Sequence, residues 1–289
     1  MFARMDWNQY YRHYLQQLQS IYSLEEAAEI AALVFENKAG ISRMGIMKSP
    51  EKMLNEAEEK MLNEALRELL EHKPVQHITG EAWFYNLKFA VNEHVLIPRP
   101  ETEELVKWAI DGNAMQKGGI SILDIGSGSG CIPVALKKNL PYADVVSIDI
   151  SEDALAIARR NAAANNTAIS FLQFDFLNKK EWGQLPLFDI IVSNPPYIPL
   201  NEKEKLDRNV TAYEPHTALF VPDNNPLVFY ETINSFAKTH LKRNGKIYVE
   251  THEDYAKETA TVFSTQFKTV EIKKDINGKE RMVKATQSL

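Results

Sequence analysis

Four consecutive residues have the types needed to hold a planar amino group, namely Asn194, Pro195, Pro196 and Tyr197. The two prolines keep the chain extended and carry no N–H, so the carbonyl groups beside them stay available as acceptors. The Asn194 side-chain oxygen and one such carbonyl can accept both hydrogens of an NH₂ group, and Tyr197 can stack on its plane. Such a clamp would orient a weak nitrogen nucleophile and stabilise the positive charge that it acquires on attacking a methyl sulfonium. The structural alternative is a turn that contains Asn-Pro-Pro without a ligand.

A glycine loop supplies the second set of candidate residues, Gly126, Ser127, Gly128, Ser129 and Gly130. The loop follows a predicted strand and opens a predicted helix, so its backbone can approach a ligand closely beside free N–H groups. Asp149 ends the next predicted strand, 23 residues beyond Gly126. A carboxylate at that place can accept hydrogen bonds from a ribose diol.

Two further residues bear on the identity of the nucleoside ligand. Cys131 stands where the dinucleotide-binding fingerprint has its third Gly or Ala. Asp124, just before the glycines, would repel a pyrophosphate and suit a ligand amine. Both features favour a cationic cofactor such as S-adenosyl-L-methionine over NAD, and a tight turn with no ligand is the remaining alternative.

The elements that would position these residues alternate between strands and helices from residue 120 onward. Apolar strands are predicted at 121–125, 145–150, 169–174, 188–193 and 246–250, and helices to about residue 139 and at 153–165. The alternation predicts an α/β fold with a doubly wound, Rossmann-like parallel sheet that binds ligands at the carboxyl ends of its strands. A long loop is expected at 198–225. Segments 267–274 and 280–285 flank Asn277-Gly278, which predicts a C-terminal antiparallel hairpin with a type I′ turn.

A small all-α domain is predicted ahead of the sheet, over residues 1–73. Its helices are expected at 6–19, from a Ser23 cap to residue 38, and from Ser49-Pro50-Glu51 to about Glu71. The inner face of the last helix would consist of Leu54, Met61, Ala65 and Leu69. Aromatic and β-branched residues on both sides of Asn86, within 75–97, predict a β-hairpin linker over residues 74–98. Residues 99–289 would then form the larger domain.

Three runs of sequence resemble the amino-group branch of the S-adenosylmethionine-dependent methyltransferases: DIGSGSG at 124–130, FDF at 174–176 and NPPY at 194–197. Segment 80–106 resembles the HemK/PrmC family more narrowly, with the sequence GEAWFYNLKFAVNEHVLIPRPETEELV. That family methylates the side-chain nitrogen (N5) of the glutamine in the GGQ motif of class-1 peptide chain release factors. The resemblance covers nearly the whole chain, and the first seventy residues match it in pattern.

The resemblance implies a role for each candidate residue. Residues 126–130 would line the methionine part of S-adenosyl-L-methionine, Asp149 would hold its ribose, and Asp175-Phe176 would lie beside its adenine, with Phe176 where relatives often carry Trp. Asn194 would contact both the cofactor and the substrate amide. The clamp would be completed by Pro195, Pro196 and Tyr197. The implied reaction is direct methyl transfer to the amide nitrogen, with S-adenosyl-L-homocysteine as the product and no enzyme-bound covalent intermediate.

Two charged residues have less specific roles. Arg99, in the PRPETE run at 98–103, is expected to position the linker, and a contact with substrate is the alternative. Glu214, in the long loop, either shapes the substrate groove or forms a salt bridge.

Composition and charge separate the remaining function classes. Lys and Arg number 33 against 39 Asp and Glu, a net charge of −6, which disfavours a broad nucleic-acid surface. An adenine-N6 methyltransferase acting on DNA or RNA is still the main alternative, because NPPY also serves an exocyclic amine. A non-catalytic cofactor-binding scaffold is the second alternative. The single cysteine and the spacing of the 7 histidines predict no disulfide framework and no metal site. No targeting or membrane-spanning segment is recognisable, so the cytoplasm is the expected location.

Overall fold

The computed structural model describes residues 5–49, 52–115 and 118–286. Its α-helices are α1 Trp7–Leu18, α2 Leu24–Ala39, α3 Arg43–Lys48, α4 Glu56–Leu70, α5 Val75–Thr79, α6 Pro100–Asp111, α7 Cys131–Asn139, α8 Glu152–Ala164, α9 Arg208–Thr211, α10 Val228–His240 and α11 Ala256–Ser264. Its strands are β1 Glu81–Phe84, β2 Leu87–Ala90, β3 Ser121–Ile125, β4 Asp144–Asp149, β5 Ser170–Gln173, β6 Phe188–Ser193, β7 Ile198–Pro199, β8 Phe220–Val221, β9 Leu241–Glu250, β10 Thr269–Lys274 and β11 Glu280–Thr286.

The described residues form two compact units. The helical unit contains the residues up to Glu81 together with Asp207–Tyr213, and the sheet unit contains Ala82–Leu206 with the residues from Glu214 onward. Segment 207–213 therefore belongs to the helical unit although it lies in the long loop after β6. Within that unit, the Tyr213 hydroxyl donates to the Glu71 carbonyl at 2.9 Å.

The helical unit has an aromatic core. The Phe35 ring on α2 is met edge-on by Tyr11 and Tyr14 of α1, each with its ring centroid 5.1 Å away. Trp7 is fully buried in the same cluster. The Ser23 hydroxyl accepts a hydrogen bond from the Glu26 N–H at the start of α2, and Gly40, in the left-handed region, follows its end. These two helices agree with the prediction from caps and periodicity.

The predicted start of the third helix is wrong. Ser49 lies at the C-terminus of the short helix α3, which was not predicted, and Pro50 and Glu51 lie outside the described residues. Helix α4 instead begins after Asn55, whose side chain accepts from the Glu58 N–H while the Glu58 carboxylate accepts from the Asn55 N–H. This reciprocal capping satisfies two backbone donors, which Ser49 cannot do for a helix that starts seven residues later.

The buried face of α4 shares Ala65 and Leu69 with the prediction, and Leu54 lies ahead of the helix. Met61 is 40% exposed, whereas Leu62 is fully buried. The buried residues of the helix are Leu62, Ala65, Leu66 and Leu69. Their spacing of i, i+3, i+4 and i+7 places them on one stripe, and Met61 falls beside that stripe.

The hairpin linker is shorter than the segment predicted for it. Strands β1 and β2 pair around Tyr85 and Asn86, which both have positive φ angles, +51° and +59°. Two consecutive positive φ values correspond to a type I′ turn, a turn that matches the strand twist. Residues 75–79, which the prediction placed within this segment, form helix α5 between Pro74 and the left-handed Gly80.

The main sheet has seven strands in the order β10-β11-β9-β6-β3-β4-β5. Strands β3, β4, β5, β6 and β9 are parallel, and β11 runs antiparallel between β9 and β10. Successive residues of β3 face opposite sides: Leu123 packs in one core cluster with α10 and α11, and Ile122 in another with α6 and α7. The predicted doubly wound sheet with a C-terminal antiparallel pair is confirmed.

Two local features of the sheet differ from the prediction. Gly278 has a φ of +80° while Asn277 is not among the described residues with positive φ, so the last hairpin turn is not type I′. The Gly278 N–H donates to the Asp275 carbonyl, and the Asp275 N–H to the Lys279 carbonyl, as in a type I turn followed by a glycine bulge. Strand β9 begins at 241 rather than 246, because Leu241 already pairs with Phe188 of β6. A register irregularity separates that pair from the pair of Ile190 with Lys246.

Candidate active site

A cavity of about 390 Å³ opens at the carboxyl ends of the parallel strands, and all of its lining residues belong to the sheet unit. Such a volume is typical of small-molecule and cofactor sites. Ten of the candidate residues line it: Gly126, Ser127, Gly128, Ser129, Asp149, Asp175, Phe176, Asn194, Pro195 and Pro196. The other three, Asp124, Gly130 and Tyr197, are not among the lining residues.

The glycine loop connects β3 to α7 along one wall of the cavity. Gly126 and Gly128 have φ angles of +85° and +50°, and the space where a side chain would begin is open at both. Glycine is needed there because L side chains rarely adopt this backbone conformation. Gly130 has a different role, since an added Cβ would lie 3.1 Å from the Cα of Ala158. It allows α8 to pack closely against the loop.

Asp149, the last residue of β4, binds the backbone of the glycine loop. One carboxylate oxygen accepts from the Gly128 N–H at 2.9 Å, and the other accepts from the Ser151 N–H at 2.9 Å. Burial raises the pKa of this carboxyl, and the backbone N–H groups oppose that rise. Each oxygen retains a further lone pair, so Asp149 can still accept hydrogen bonds from a diol in the cavity.

Asp124 is fully buried behind the loop. Its Oδ2 accepts from the Ser147 hydroxyl at 2.6 Å, and the Ser147 and Ser127 hydroxyl oxygens lie 2.5 Å apart. Within the described part of the chain its Oδ1 has no hydrogen-bond partner. Burial raises the pKa of Asp124 to about 8. Ser129 has a buried hydroxyl that likewise lacks a described partner, and this residue does line the cavity.

Phe176, which lines the cavity, belongs to an aromatic cluster. Phe176 stacks on Trp182 with ring centroids 5.9 Å apart, and its edge meets Phe236. The Trp182 indole N–H donates to the Phe176 carbonyl at 3.0 Å, which holds the pair together. Asp175 lies beside them, with its carboxylate accepting from the Leu177 N–H.

The Asn-Pro-Pro-Tyr segment follows β6 directly. The Asn194 side-chain nitrogen donates to the Thr102 hydroxyl oxygen at 3.1 Å. Among the described residues none donates to the Asn194 side-chain oxygen, so this acceptor is available. Tyr197 is not among the residues that line the cavity, and its hydroxyl donates to Glu250 Oε1 at 3.3 Å.

Sequence reasoning missed the pair formed by Thr102 and Glu250. The Thr102 hydroxyl donates to Glu250 Oε2 at 2.6 Å, and the two side chains are almost completely buried. Burial raises the pKa of Glu250 to about 7, against the lowering effect of the Thr102 and Tyr197 hydroxyls. A buried glutamate at the end of an apolar strand was the available signal, since such a residue requires polar partners.

Arg99 and Glu214 form a partly buried ion pair. The Arg99 guanidinium contacts Glu214 Oε1, while Glu214 Oε2 accepts from the Ile97 N–H at 3.0 Å. The Glu214 side chain is 1% exposed. Of the two roles considered for Glu214, the salt bridge is the one observed, and it fixes the segment that leads into α6.

The described residues contain no group of three or more His, Cys, Asp or Glu side chains arranged to hold a metal ion. Over the same part of the chain, none of the helices combines the length and the apolar character required to cross a bilayer.

The sheet order, the glycine loop and the cavity at the strand ends define a Rossmann-like methyltransferase domain. A solved structure with a similar fold is a 16S rRNA methyltransferase of T. thermophilus, with a TM-score of 0.50 and 16% identity, covering 72% of this chain and 49% of that one. The family model "Methyltransferase small domain" matches residues 113–212, and "PrmC N-terminal domain" matches residues 9–80.

Curated relatives identify the family. A release factor glutamine methyltransferase of Flavobacterium psychrophilum is 42% identical over 278 residues, which are 95% of this chain and 97% of the relative. Another, from Bacteroides thetaiotaomicron, is 38% identical over 94% of this chain and 97% of its own length. The chain therefore belongs to the release factor glutamine methyltransferase family.

Proposed function

We propose that this protein transfers a methyl group from S-adenosyl-L-methionine to the side-chain amide nitrogen (N5) of the glutamine in the GGQ motif of class-1 peptide chain release factors. The observation that carries the proposal is the Asn194-Pro195-Pro196 segment, which lines the cavity at the end of β6 with a free amide oxygen. The relatives that match nearly the whole chain are named for this activity. The reaction would take place in the cytoplasm, where translation occurs.

The cavity residues fit this cofactor. Asp149 offers carboxylate lone pairs for the ribose hydroxyls, Phe176 an apolar face for the adenine, and Ser129 a buried hydroxyl that still needs a partner. Burial raises the pKa of Asp124, behind the loop, to about 8, and a positively charged ligand nearby would favour its ionised form. When bound, S-adenosyl-L-methionine supplies a methyl group on a positively charged sulfonium, which an amide nitrogen can attack.

The chain's own residues would orient that nitrogen. The Asn194 side-chain oxygen and a backbone carbonyl of the two prolines would each accept one hydrogen of the substrate NH₂ group. Both hydrogen bonds strengthen as the nitrogen becomes positively charged, so they stabilise the transition state more than the bound substrate. Tyr197 remains the proposed stacking partner of the planar amide, with its hydroxyl held by Glu250. No general base is needed before attack, because the proton can leave afterwards.

A nucleic-acid substrate is the alternative that must be tested. The net charge of −6 disfavours binding of a phosphate backbone over a broad surface. Purified protein should be supplied with radiolabelled S-adenosyl-L-methionine and, in parallel, a class-1 release factor, DNA or RNA. Label is expected in the release factor and should disappear when the GGQ glutamine is changed to alanine. Label in nucleic acid alone would overturn the proposal, and label in no acceptor would favour the scaffold alternative.

The clamp itself is tested by Asn194→Ala. Loss of the amide oxygen should lower kcat by about 100-fold or more, as expected for removal of a transition-state hydrogen bond. Cofactor affinity, measured by calorimetry, should be mostly retained because Asp149 and the glycine loop are unchanged. Near-wild-type turnover of this variant would show that the clamp is wrongly assigned.

A further inference from the structure

The Asn194 amide must point in one direction to work as an acceptor. An amide side chain has an oxygen and an NH₂ group of nearly equal size, so shape alone does not decide which of them faces the substrate. In the structure the NH₂ group is held by Thr102, whose hydroxyl oxygen accepts from it at 3.1 Å. The oxygen is thereby left for the cavity.

Glu250 determines the direction of that hydrogen bond. An ionised carboxylate can only accept, so the Thr102 hydroxyl must give its single proton to Glu250 Oε2, 2.6 Å away. The lone pairs of the same hydroxyl then face Asn194, where only an NH₂ group can pair with them. We call the two hydrogen bonds from Asn194 to Thr102 and from Thr102 to Glu250 the relay. The relay is directional because each of its hydrogen bonds has one permitted donor.

The same carboxylate also holds the other end of the segment. Its Oε1 accepts from the Tyr197 hydroxyl, and the Glu250 backbone carbonyl accepts from Tyr230 at 3.0 Å. Between Asn194 and Tyr197 lie two prolines, which donate no backbone hydrogen bonds. The clamp is thus fastened at both ends to one buried side chain.

We propose that Glu250 and Thr102 are positioning residues for methyl transfer, which act by orienting the Asn194 amide and anchoring Tyr197. The inference rests on the function proposed above for the reaction itself. Neither residue supplies an atom to the reaction. Their contribution is to fix which atom of Asn194 meets the substrate nitrogen.

The charge state of Glu250 is part of this device. Among the described residues, the charged and titratable groups around it are Glu101 on α6, Cys131 on α7, Tyr197, Tyr230 on α10 and Arg281 on β11. Burial raises the pKa of Glu250 to about 7. A protonated Glu250 can donate to Thr102, which frees the Thr102 proton to turn toward Asn194 and favour the opposite amide orientation. Turnover should therefore fall as the pH is lowered through about 7.

Three variants of the full-length protein test the relay. Thr102→Val keeps the shape and removes the hydroxyl, and it should lower kcat by about 10- to 100-fold, the size expected when a reacting group is misoriented. Thr102→Ser restores the hydroxyl and should restore most of the rate. Glu250→Gln can pair with Thr102 in either direction, so its kcat should be reduced and should lose the decline below pH 7.

A matched control separates orientation from stability. Thr232 on α10 is also buried, but its hydroxyl bonds only to the Val228 carbonyl of its own helix, at 2.7 Å. Thr232→Val should lower the melting temperature without changing kcat. Equal losses of kcat in the two valine variants, or a Thr102→Val variant that changes only the cofactor Kd, would overturn the positioning role.

A readout independent of turnover distinguishes this inference from the proposed function. The side-chain NH₂ signals of Asn194 can be assigned by NMR through their loss in Asn194→Asp. They should shift and broaden in Thr102→Val and not in Thr232→Val. If they do so while the wild type methylates no release factor, the function fails and the positioning role stands. Unchanged signals in Thr102→Val would refute the positioning role.

Discussion

Two buried carboxyl groups near the cavity, Glu250 and Asp124, have raised pKa values but different hydrogen-bond partners. The Glu250 carboxylate accepts hydrogen bonds from two hydroxyl groups. The Asp124 carboxyl accepts a hydrogen bond from one hydroxyl group, and its other oxygen has no partner among the described residues. Burial disfavours the ionised form of both groups, and at Glu250 it outweighs the nearby Arg281 charge, so both pKa values lie above the usual range. These residues carry a stability cost at neutral pH that a cofactor with a positive charge would partly offset at Asp124.

The pH dependence of stability should reveal the state of Asp124. Its pKa in the folded protein is about 8, above the ordinary value of 3.8. The stability that it contributes in protonated form is fully present below pH 3.8 and is lost as the pH rises to 8. Asp124→Asn does not titrate. The free energy of unfolding of this variant minus that of the wild type should therefore increase by about 1.4 kcal/mol per pH unit between pH 5 and 8.

Urea unfolding of both proteins across this range provides the measurement. Taking the difference between them cancels the titration of the histidines and other groups that the two proteins share. A difference that stays constant with pH would mean that Asp124 is ionised throughout and that its burial is compensated.

At the scale of elements, the loop and the hairpin are connected through one side chain of α8. Asn161 is 1% exposed; its amide oxygen accepts from the Ala90 N–H at 2.7 Å, and its nitrogen donates to the Ala90 and Ser129 carbonyls. The Asn161 amide therefore pairs with both the N–H and the carbonyl of Ala90 in β2, as the backbone of a neighbouring strand would. The same amide also holds the glycine loop, through its hydrogen bond to the Ser129 carbonyl.

Removal of this connection should be costly. Asn161→Ala would leave the Ala90 N–H and the Ala90 and Ser129 carbonyls, which are buried or partly buried, without their partner, so we expect a loss of about 2 kcal/mol in the free energy of unfolding. Cofactor affinity should fall as well, because the Ser129 carbonyl belongs to the loop. Asn165→Ala, one turn later and more exposed, removes the bonds to the Lys88 and Asn161 carbonyls and should cost about 1 kcal/mol or less. Equal costs in denaturant titrations would contradict the role of Asn161.

For the whole molecule, the division into two units decides where a ligand acts. The cavity is lined only by residues of the sheet unit, while the helical unit has its own aromatic core. A ligand that binds the folded state stabilises it by mass action, by about 2.7 kcal/mol when its concentration is 100 times Kd. This stabilisation should be distributed unevenly over the chain.

Hydrogen exchange with and without S-adenosyl-L-methionine can measure that distribution. Amides of β3, β4 and β6 should become more protected at saturating cofactor, whereas those of α1, α2 and α4 should change little. The Asp149→Ala variant, with its ribose contact removed, should lose the effect at the same cofactor concentration. An equal gain in the helical unit would show that the two units open together.

The sequence by itself determined the features that depend on local spacing. The glycine loop after a strand, the alternation of strands and helices, the caps at Ser23 and Gly40 and the hairpin at Asn86 all follow from rules that act over a few residues. Where such rules competed, as between Ser49 and Asn55 for the start of α4, the reciprocal hydrogen bonds of Asn55 and Glu58 decided the outcome.

Only the tertiary structure decided how the clamp is supported. Thr102, Asn194 and Glu250 lie on three elements far apart in sequence, and β9 comes beside β6 only through the strand order of the sheet. The alternation of apolar residues shows that a strand is buried, but it contains no information on which strand is its neighbour or in which register. The burial of Asp124 and the hydrogen bond from the Tyr197 hydroxyl to Glu250 depend on such strand pairings as well, and for this physical reason they could not be predicted from the chain alone.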